Sequence, residues 1–465
     1  MICRSLELLT FKDLYREKID MRKKYDLVIV GAGPAGLTAA KTAGENGLNV
    51  AILERKTHIT DINRLCTMMV LVLNEYIFGE RPTFNARDKR LCFPVNGFSI
   101  RYEGPTKNLY AWYFYSPRGN CIVFGNYDEA ERLGDEGRIS VVHSKSALLQ
   151  GLLEDAVRNG VEVFTNANVI DIEKGKDGMR VKTFEGKRFT GTFVIAADGT
   201  NSVITKRLGL NKERTFYATL SGMGWDMLGT EVEGPLSLKS WMGEDEIRVY
   251  YFGIPRAYSD EYVFFAGGFD PTFDYNSVLD RFIHKGRFSH WFRNVELIRK
   301  VGSVENVYSP IAEPFKDNVL IVGDAAWCQE IEINGAILCG WKAANAVTVA
   351  LRDKKLNREG ISSYLNWWKR SLFERHDYRD YLKPFTMTAY MSYEEIDYIF
   401  SLFKDPLPPC LHAFTGGQLL GAEIMNRLPQ ISKERPKLAE KIMKFATSPI
   451  EHALAYGMRV GFPNR

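Results

Sequence analysis

Between Tyr25 and Glu54 the chain runs through an apolar β-branched segment, a glycine turn, a helical segment and a second apolar segment ending on an acid. Tyr25-Asp-Leu-Val-Ile-Val30 has the pattern of a buried strand. It enters Gly31-Ala-Gly33-Pro-Ala35-Gly36 without a spacer, and Leu37–Asn46 then reads as a helix closed by Gly47. Asn49-Val-Ala-Ile-Leu-Glu54 supplies the next strand, so the order is that of a βαβ unit. Gly31 permits the tight turn, Gly33 lets the backbone approach a pyrophosphate, and Gly36 lets helix and strand pack closely. The start of the helix offers free N–H groups and a positive dipole end to phosphates. Glu54 lies 18 positions after Gly36, where a carboxylate accepts from adenosine ribose hydroxyls and disfavours a 2′-phosphate. The segment therefore predicts an ADP-ribose-containing cofactor, FAD or NAD, held by Gly31, Gly33, Ala35, Gly36, Glu54 and the adjoining Arg55.

Composition narrows the setting. A chain of 465 residues suits two or three domains, and 45% hydrophobic with 25% charged residues is ordinary for a soluble protein. A net charge of +4, with acids and bases interspersed, lacks the basic footprint of a nucleic-acid binder. The seven cysteines form no CxxC pair and the seven histidines no HxH or HxxxH pair. Neither a disulfide framework nor a metal site is expected, and a reducing cytoplasm is the natural home. No run of eighteen apolar residues marks a membrane span. Residues 1–20 read either as a short amphipathic helix or as a leader before Met21.

The expected fold is α/β: a Rossmann-type domain with an inserted, mostly β substrate domain and a helical C-terminal region. After an N-terminal extension (1–24), the Rossmann-type domain takes 25–75, 131–215 and 301–352. It includes a Leu-rich helix near Lys145–Asn159 and strands at 161–166, 169–173 and 193–196. The substrate domain takes 76–130 and 216–300, ending in a helical stretch near Asp280–Arg299. The region 353–465 reads as helices broken at Pro406–Pro409.

Two later motifs decide the cofactor. Phe193-Val-Ile-Ala-Ala-Asp198-Gly199 resembles the DG motif, and Asn318-Val-Leu-Ile-Val-Gly323-Asp324-Ala-Ala the GD motif, of flavoproteins of the p-hydroxybenzoate hydroxylase type. The resemblance implies FAD. It sets Asp324 against the ribityl chain and aims the following helix at the flavin, where a helix dipole stabilises the anionic reduced ring. Lys145 stands where this superfamily places an arginine near the cofactor phosphates, and Val169 joins the cofactor set.

Within that superfamily the chain is similar to the geranylgeranyl reductase family, FAD enzymes that saturate isoprenoid double bonds. Cys66, twelve positions beyond Glu54, matches a cysteine those reductases place facing the flavin, although Arg64-Leu-Cys66-Thr67 replaces the usual Pro-Cys-Gly. Tyr250-Tyr-Phe252-Gly-Ile254-Pro255 is similar to the family's YxWxFP substrate motif, with Phe252 for tryptophan. After Gly323-Asp324 the chain departs from the family, and Asn334-Gly335-Ala336 is the only equivalent of its glycine-rich turn. Glu330 and Glu332 nearby suit a more polar substrate.

The resemblance implies reduction of a carbon–carbon double bond in an apolar substrate, by hydride from flavin N5 and a proton from a positioned acid. Cys66 is the candidate flavin-side residue, as proton donor or tuner, or else a small buried side chain. Tyr250, Phe252, Ile254 and Pro255 shape the apolar slot, with Tyr110, Trp112 and Tyr113 as further walls. NAD(P)H or a ferredoxin-like protein would donate electrons. An aromatic-ring monooxygenase is the alternative, a flavin electron-transfer protein the second. The aromatic tail reads as a lid over a lipid-like substrate, touching a membrane surface, or as a helical cap or dimer contact.

Overall fold

A computed structural model describes residues 23–72, 78–243, 249–258, 260–327, 332–374, 391–411 and 413–449, with the single positions 379, 383 and 452. The expected helix within residues 1–20 and Glu330 lie outside these residues, as does the side chain of Glu332.

Lys24–Val30 forms the centre of the first sheet because Leu27, Val28, Ile29 and Val30 are apolar on both faces and wholly buried. It pairs in parallel with Val50–Leu53 on one side and Arg188–Ala196 on the other. Glu162–Phe164 extends the parallel array beyond Val50–Leu53, and Val319–Ile321 beyond Arg188–Ala196. Antiparallel strands Gly178–Thr183 and Val169–Gly175 complete the outer edge. Every parallel strand therefore ends on the same edge, which brings Gly31, Glu54, Asp198 and Gly323 out side by side. Ligands bind at that edge of open α/β sheets.

Two helices meet over this sheet. In Glu332–Arg352, a Cβ on Gly340 would lie 2.1 Å from the Ala35 carbonyl, so only glycine lets this helix contact Pro34–Glu45 so closely. The helix Lys145–Arg158 buries Leu148, Leu149, Leu152 and Leu153 on one face, and its N-cap Ser144 accepts from Ala147 N–H at 3.3 Å.

The second sheet has seven strands in the order Glu296–Tyr308, Phe216–Leu228, Tyr262–Gly268, Tyr250–Pro255, Leu238–Met242, Trp112–Tyr115, Cys121–Phe124. Its outer face sets Trp225, Trp241, Tyr251 and Phe264 against the helix Tyr275–Lys285. The helical stretch expected to reach Arg299 stops at Lys285. Gly286 caps it, and Glu296–Tyr308 instead pairs along Phe216–Leu228.

A small sheet of Met69–Leu71, Ser140–His143 and Thr106–Leu109 joins the two units. Strand alternation divides its side chains: Val70, Val72 and Val141 enter the flavin-side core, while Met69, Leu71, Leu109 and Val142 pack with Leu238, Ile254 and Val263 of the large sheet.

The expected partition differs in two places. The hairpin strands Thr83–Asn85, Arg90–Phe93 and Phe98–Arg101, expected in the substrate domain, pack on the flavin side. Phe98 stacks between Phe93 and Trp341 at 4.6 and 4.9 Å, and the Arg101 carbonyl crosses the long helix at Gly151, where a Cβ would stand 2.1 Å away. The tail also splits. Ser362–Lys369 belongs to the flavin-side core, Tyr364 Oη donating to Ile321 O at 3.0 Å and Trp368 Nε1 to Ile311 O at 2.7 Å. Helices Tyr393–Ser401, Ala413–Asn426, Leu428–Glu434 and Pro436–Thr447 instead cover the inner face of the large sheet near Ile122, Phe124 and Phe114. Among the described residues no helix is long and apolar enough to cross a membrane.

Candidate flavin site

The glycine turn is built by close approach. A Cβ on Gly31 would meet Ala197 O at 2.3 Å and its φ is +96°, while a Cβ on Gly36 would meet Gly31 O at 1.9 Å. Gly33 is different: beyond its chain neighbours, no atom of the described residues comes within 4 Å of its would-be Cβ, so this part of the loop opens outward. Gly323, at φ +60°, would place a Cβ 3.0 Å from Ala35 Cβ and 4.0 Å from Ala336 Cβ. Ala35, Gly323 and Ala336 therefore meet, although Asn334, Gly335 and Ala336 form the first turns of the helix beginning at Glu332 rather than the separate turn expected of them. Asn334 is buried; its Nδ2 donates to Leu71 O at 2.8 Å, and its Oδ1 has no protein partner.

Glu54 is buried. Its oxygens accept from Ala32 N–H at 2.8 Å and Lys56 N–H at 2.9 Å, which fixes the carboxylate against the glycine turn with lone pairs to spare. Ala167 N–H donates to Glu54 O at 2.9 Å, bringing the start of the Val169 strand beside it, and Arg55 is exposed next to it. At the second turn Asp198 Oδ2 accepts from Val203 and Ile204 N–H at 2.9 and 3.3 Å. Its Oδ1 is buried without a partner, and burial raises the carboxyl's pKa. Gly199 takes φ +85°, with the Arg64 guanidinium 3.9 Å from its would-be Cβ. Asp324 is pushed up to about 6, first by desolvation and then by Glu305, against the opposing pull of Arg64 and Lys145.

These features fit FAD. The open cradle at Gly33 admits a pyrophosphate, and the buried acceptors Asp198 Oδ1 and Asn334 Oδ1 find no donor among the described residues. Among the described residues no group of three or more His, Cys, Asp or Glu stands as a metal site.

Beside the turns lies the Cys66 loop, fastened to the inner face of the large sheet. Leu65 N–H donates to Gly302 O at 3.1 Å, and the Leu65 side chain covers Gly224, where a Cβ would lie 2.5 Å from Leu65 Cδ1. Arg256 Nη1 donates to Cys66 O at 2.8 Å and Arg299 Nη1 to Ile62 O at 3.1 Å. Both arginines converge on Asp226, which is fully buried: Arg256 Nε at 2.8 Å and Arg299 Nε at 2.7 Å. The Cys66 sulfur accepts from Lys145 Nζ at 3.5 Å. Sequence reasoning missed Asp226, Arg256 and Arg299; the one trace was an acid inside the otherwise apolar strand Gly222-Met-Gly-Trp-Asp226-Met-Leu228.

The motif strand divides its residues. Tyr250, Phe252 and Ile254 face inward, while Tyr251 faces outward and stacks on Phe282 at 4.4 Å. Phe252 stacks on Phe265 at 4.7 Å and packs near Leu65 and Trp112, with Ile254 buried in the same cluster. Pro255 is buried at the strand's end, paired with Tyr262. Tyr250 sits apart from Phe252, under the tail helices. Of the three expected extra walls only Trp112 faces this side, its Nε1 donating to Ser240 Oγ at 2.8 Å. Tyr113 points to the outer face under Lys239, and Tyr110 packs edge-on against Tyr127. Alternation along the strand forbids Trp112 and Tyr113 from sharing a face.

The Thi4 family model matches residues 11–69, and an FAD binding domain model matches residues 117–330. The chain is 24% identical over 425 residues to the digeranylgeranylglycerophospholipid reductase of Methanococcus vannielii, covering 89% of this chain and 98% of that protein. Its fold is that of a geranylgeranyl bacteriochlorophyll reductase-like protein from Thermoplasma acidophilum (TM-score 0.68, 19% identity, covering 91% and 99% of the two chains). A flavin-dependent brominase shares it more loosely (TM-score 0.57, 14% identity, covering 89% and 100%). Fold and turns define an FAD-dependent oxidoreductase. Among such enzymes the chain is similar to proteins named digeranylgeranylglycerophospholipid reductase.

Proposed function

We propose that this chain reduces isolated carbon–carbon double bonds of an isoprenoid lipid. One observation carries the reading: the Cys66 loop is pinned onto an apolar sheet face, its Leu65 packing in one cluster with Phe252 and Phe265, while its Arg64 reaches the Gly199 turn. An unactivated alkene needs that combination of a dry wall and a nearby proton source. The digeranylgeranylglycerophospholipid reductases similar to this chain carry the same expectation in their name.

Reduced FAD, when bound, supplies two electrons and one hydrogen to such a bond. Gly31, Gly33, Ala35 and Gly36 would hold its diphosphate end, and Glu54, Arg55 and Val169 its adenosine. Asp198, Gly199, Gly323, Asp324 and Asn334–Ala336 would hold the ribityl and ring side. Cys66 would pass a proton from its sulfur to the alkene. Phe252, Ile254 and Trp112 exclude water along the slot, and Tyr250 carries the slot onward beneath the tail helices, which roof it for a long chain. The tail is also where contact with a membrane surface would deliver the lipid. NAD(P)H or a ferredoxin-like protein would be the electron donor.

The test reduces the FAD-loaded protein anaerobically with dithionite and adds a digeranylgeranyl lipid. A gain of two mass units per double bond, with flavin reoxidation that depends on the lipid, is expected. Rapid mixing with O₂ is the counter-experiment. A long-lived oxygen adduct coupled to ring hydroxylation would replace the reading by a monooxygenase, and indifference to every olefin would replace it by an electron carrier.

A further inference from the structure

Lys145 occupies the position that the superfamily resemblance assigns to a phosphate-binding cation, yet its ammonium points elsewhere. Nζ lies 3.5 Å from the Cys66 sulfur. Both ends of this contact are anchored. Lys145 is the first residue of its helix, behind the N-cap Ser144, and Ser146 Oγ ties that helix to the loop at Thr60 O, 2.9 Å away. Cys66 is held through its own carbonyl by Arg256 and through Leu65 N–H by Gly302.

The charges around the pair are asymmetric. Arg256 is matched by Asp226, and Arg64 by Glu305 at 2.7 Å. His143, buried close by, is held at about 3 by burial and by Lys145, and so brings no charge at neutral pH. Asp324 faces Lys145 from the far turn, and Lys56 faces it from the Glu54 strand end. Lys145 is thus the cation in hydrogen-bonding range of a sulfur that has no other charged neighbour so near among the described residues.

We propose that Lys145 is the charge and proton partner of Cys66: its ammonium favours the thiolate over the thiol at the sulfur it touches and returns a proton to that sulfur for use as an acid. This rests on reading Cys66 as the flavin-side group. In the acid step an N–H bond breaks as S–H forms, and S–H then breaks as the proton reaches one alkene carbon. The electron pair stays on sulfur. Reduced flavin supplies the hydride equivalent for the other carbon, and the amine regains its proton from water.

The experiment follows alkylation of Cys66 by iodoacetamide from pH 5.5 to 9.5 in the FAD-loaded protein, read by mass spectrometry of the Cys66 peptide. Lys145→Gln should move the half-point upward by a unit or more, an approximately tenfold slower reaction at pH 7, because the thiolate is the nucleophile. Lys145→Arg should hold the half-point near its original value. Lys145→Met carries the same expectation as the glutamine variant and guards against misfolding peculiar to one side chain. An unchanged half-point in either neutral variant overturns the pairing, and a weakened FAD affinity alongside it would return Lys145 to the phosphates. Alkylation needs no olefin. Absent lipid reduction with the shift intact would therefore sink the reductase reading and leave the pair standing.

Discussion

Gly33 and Gly36 stand three positions apart in one turn and fail for opposite reasons when a methyl group is added. At Gly36 the new carbon meets Gly31 O at 1.9 Å, a clash with backbone that the turn cannot relieve without unfolding its own first strand junction. At Gly33, beyond the chain neighbours, it meets no atom of the described residues within 4 Å. Gly36→Ala should therefore lower the melting temperature of the flavin-free protein sharply. Gly33→Ala should leave that melting temperature within a degree or two and weaken FAD binding by roughly tenfold or more, because the methyl occupies the pyrophosphate's path. Flavin titration beside thermal melts of the stripped protein separates the two. Equal losses of stability would show that Gly33 is structural and that the open side of the loop faces no cofactor.

At the scale of elements, the Cys66 loop has no regular structure of its own and borrows its order from a buried ion cluster. Asp226 lies on one strand, Arg299 on its neighbour and Arg256 just past the end of a third, and the arginines use their remaining N–H groups on the loop's carbonyls. An acid buried this way is costly unless both partners stay in place. Asp226→Asn should cost about 3 kcal/mol. Hydrogen exchange at Leu65 should also accelerate more than in the strands behind it, since both clamps slacken together. Uniform acceleration would mean that the cluster stabilises the sheet alone.

This device also marks the limit of what could be read from residues in a row. The glycine turns were legible because their chemistry is local: spacing alone forces the positive φ of Gly31 and the close contact of Gly36. The Asp226 cluster spans residues 62 to 299, and neither a strand pattern nor a motif encodes which distant strands become neighbours. The hairpin strands at 83–101 show the same limit. The stretch was expected to be β structure of the substrate domain, but which sheet its strands joined was decided by Trp341 and Gly151, far along the chain.

For the molecule as a whole, the two large units are pinned by the small sheet between them, and one buried histidine sits in that joint. The His143 side chain is wholly enclosed beside Tyr102, its ring nitrogens make no hydrogen bond, and burial holds its pKa at about 3. In the unfolded chain the same ring titrates near 6.5. The unfolded state therefore binds the proton first. The stability this group contributes is complete above about pH 6.5 and falls as the pH drops toward 3. Asp324 acts in the opposite sense: its carboxyl is raised from 3.8 to about 6, so folding gains from its protonation as the pH falls through that range. The two windows overlap between pH 6 and 4, and the wild-type melting curve should decline there less steeply than His143 alone would dictate. Removing the histidine uncovers the other term. His143→Leu, close to its volume and uncharged, should melt at a temperature that stays level or rises from pH 6.5 to 5 in the flavin-free protein, while the parent declines. Calorimetry across that range decides it. Parallel slopes for the two proteins would mean that the ring finds a proton inside the fold, and that the joint between the units is open to water.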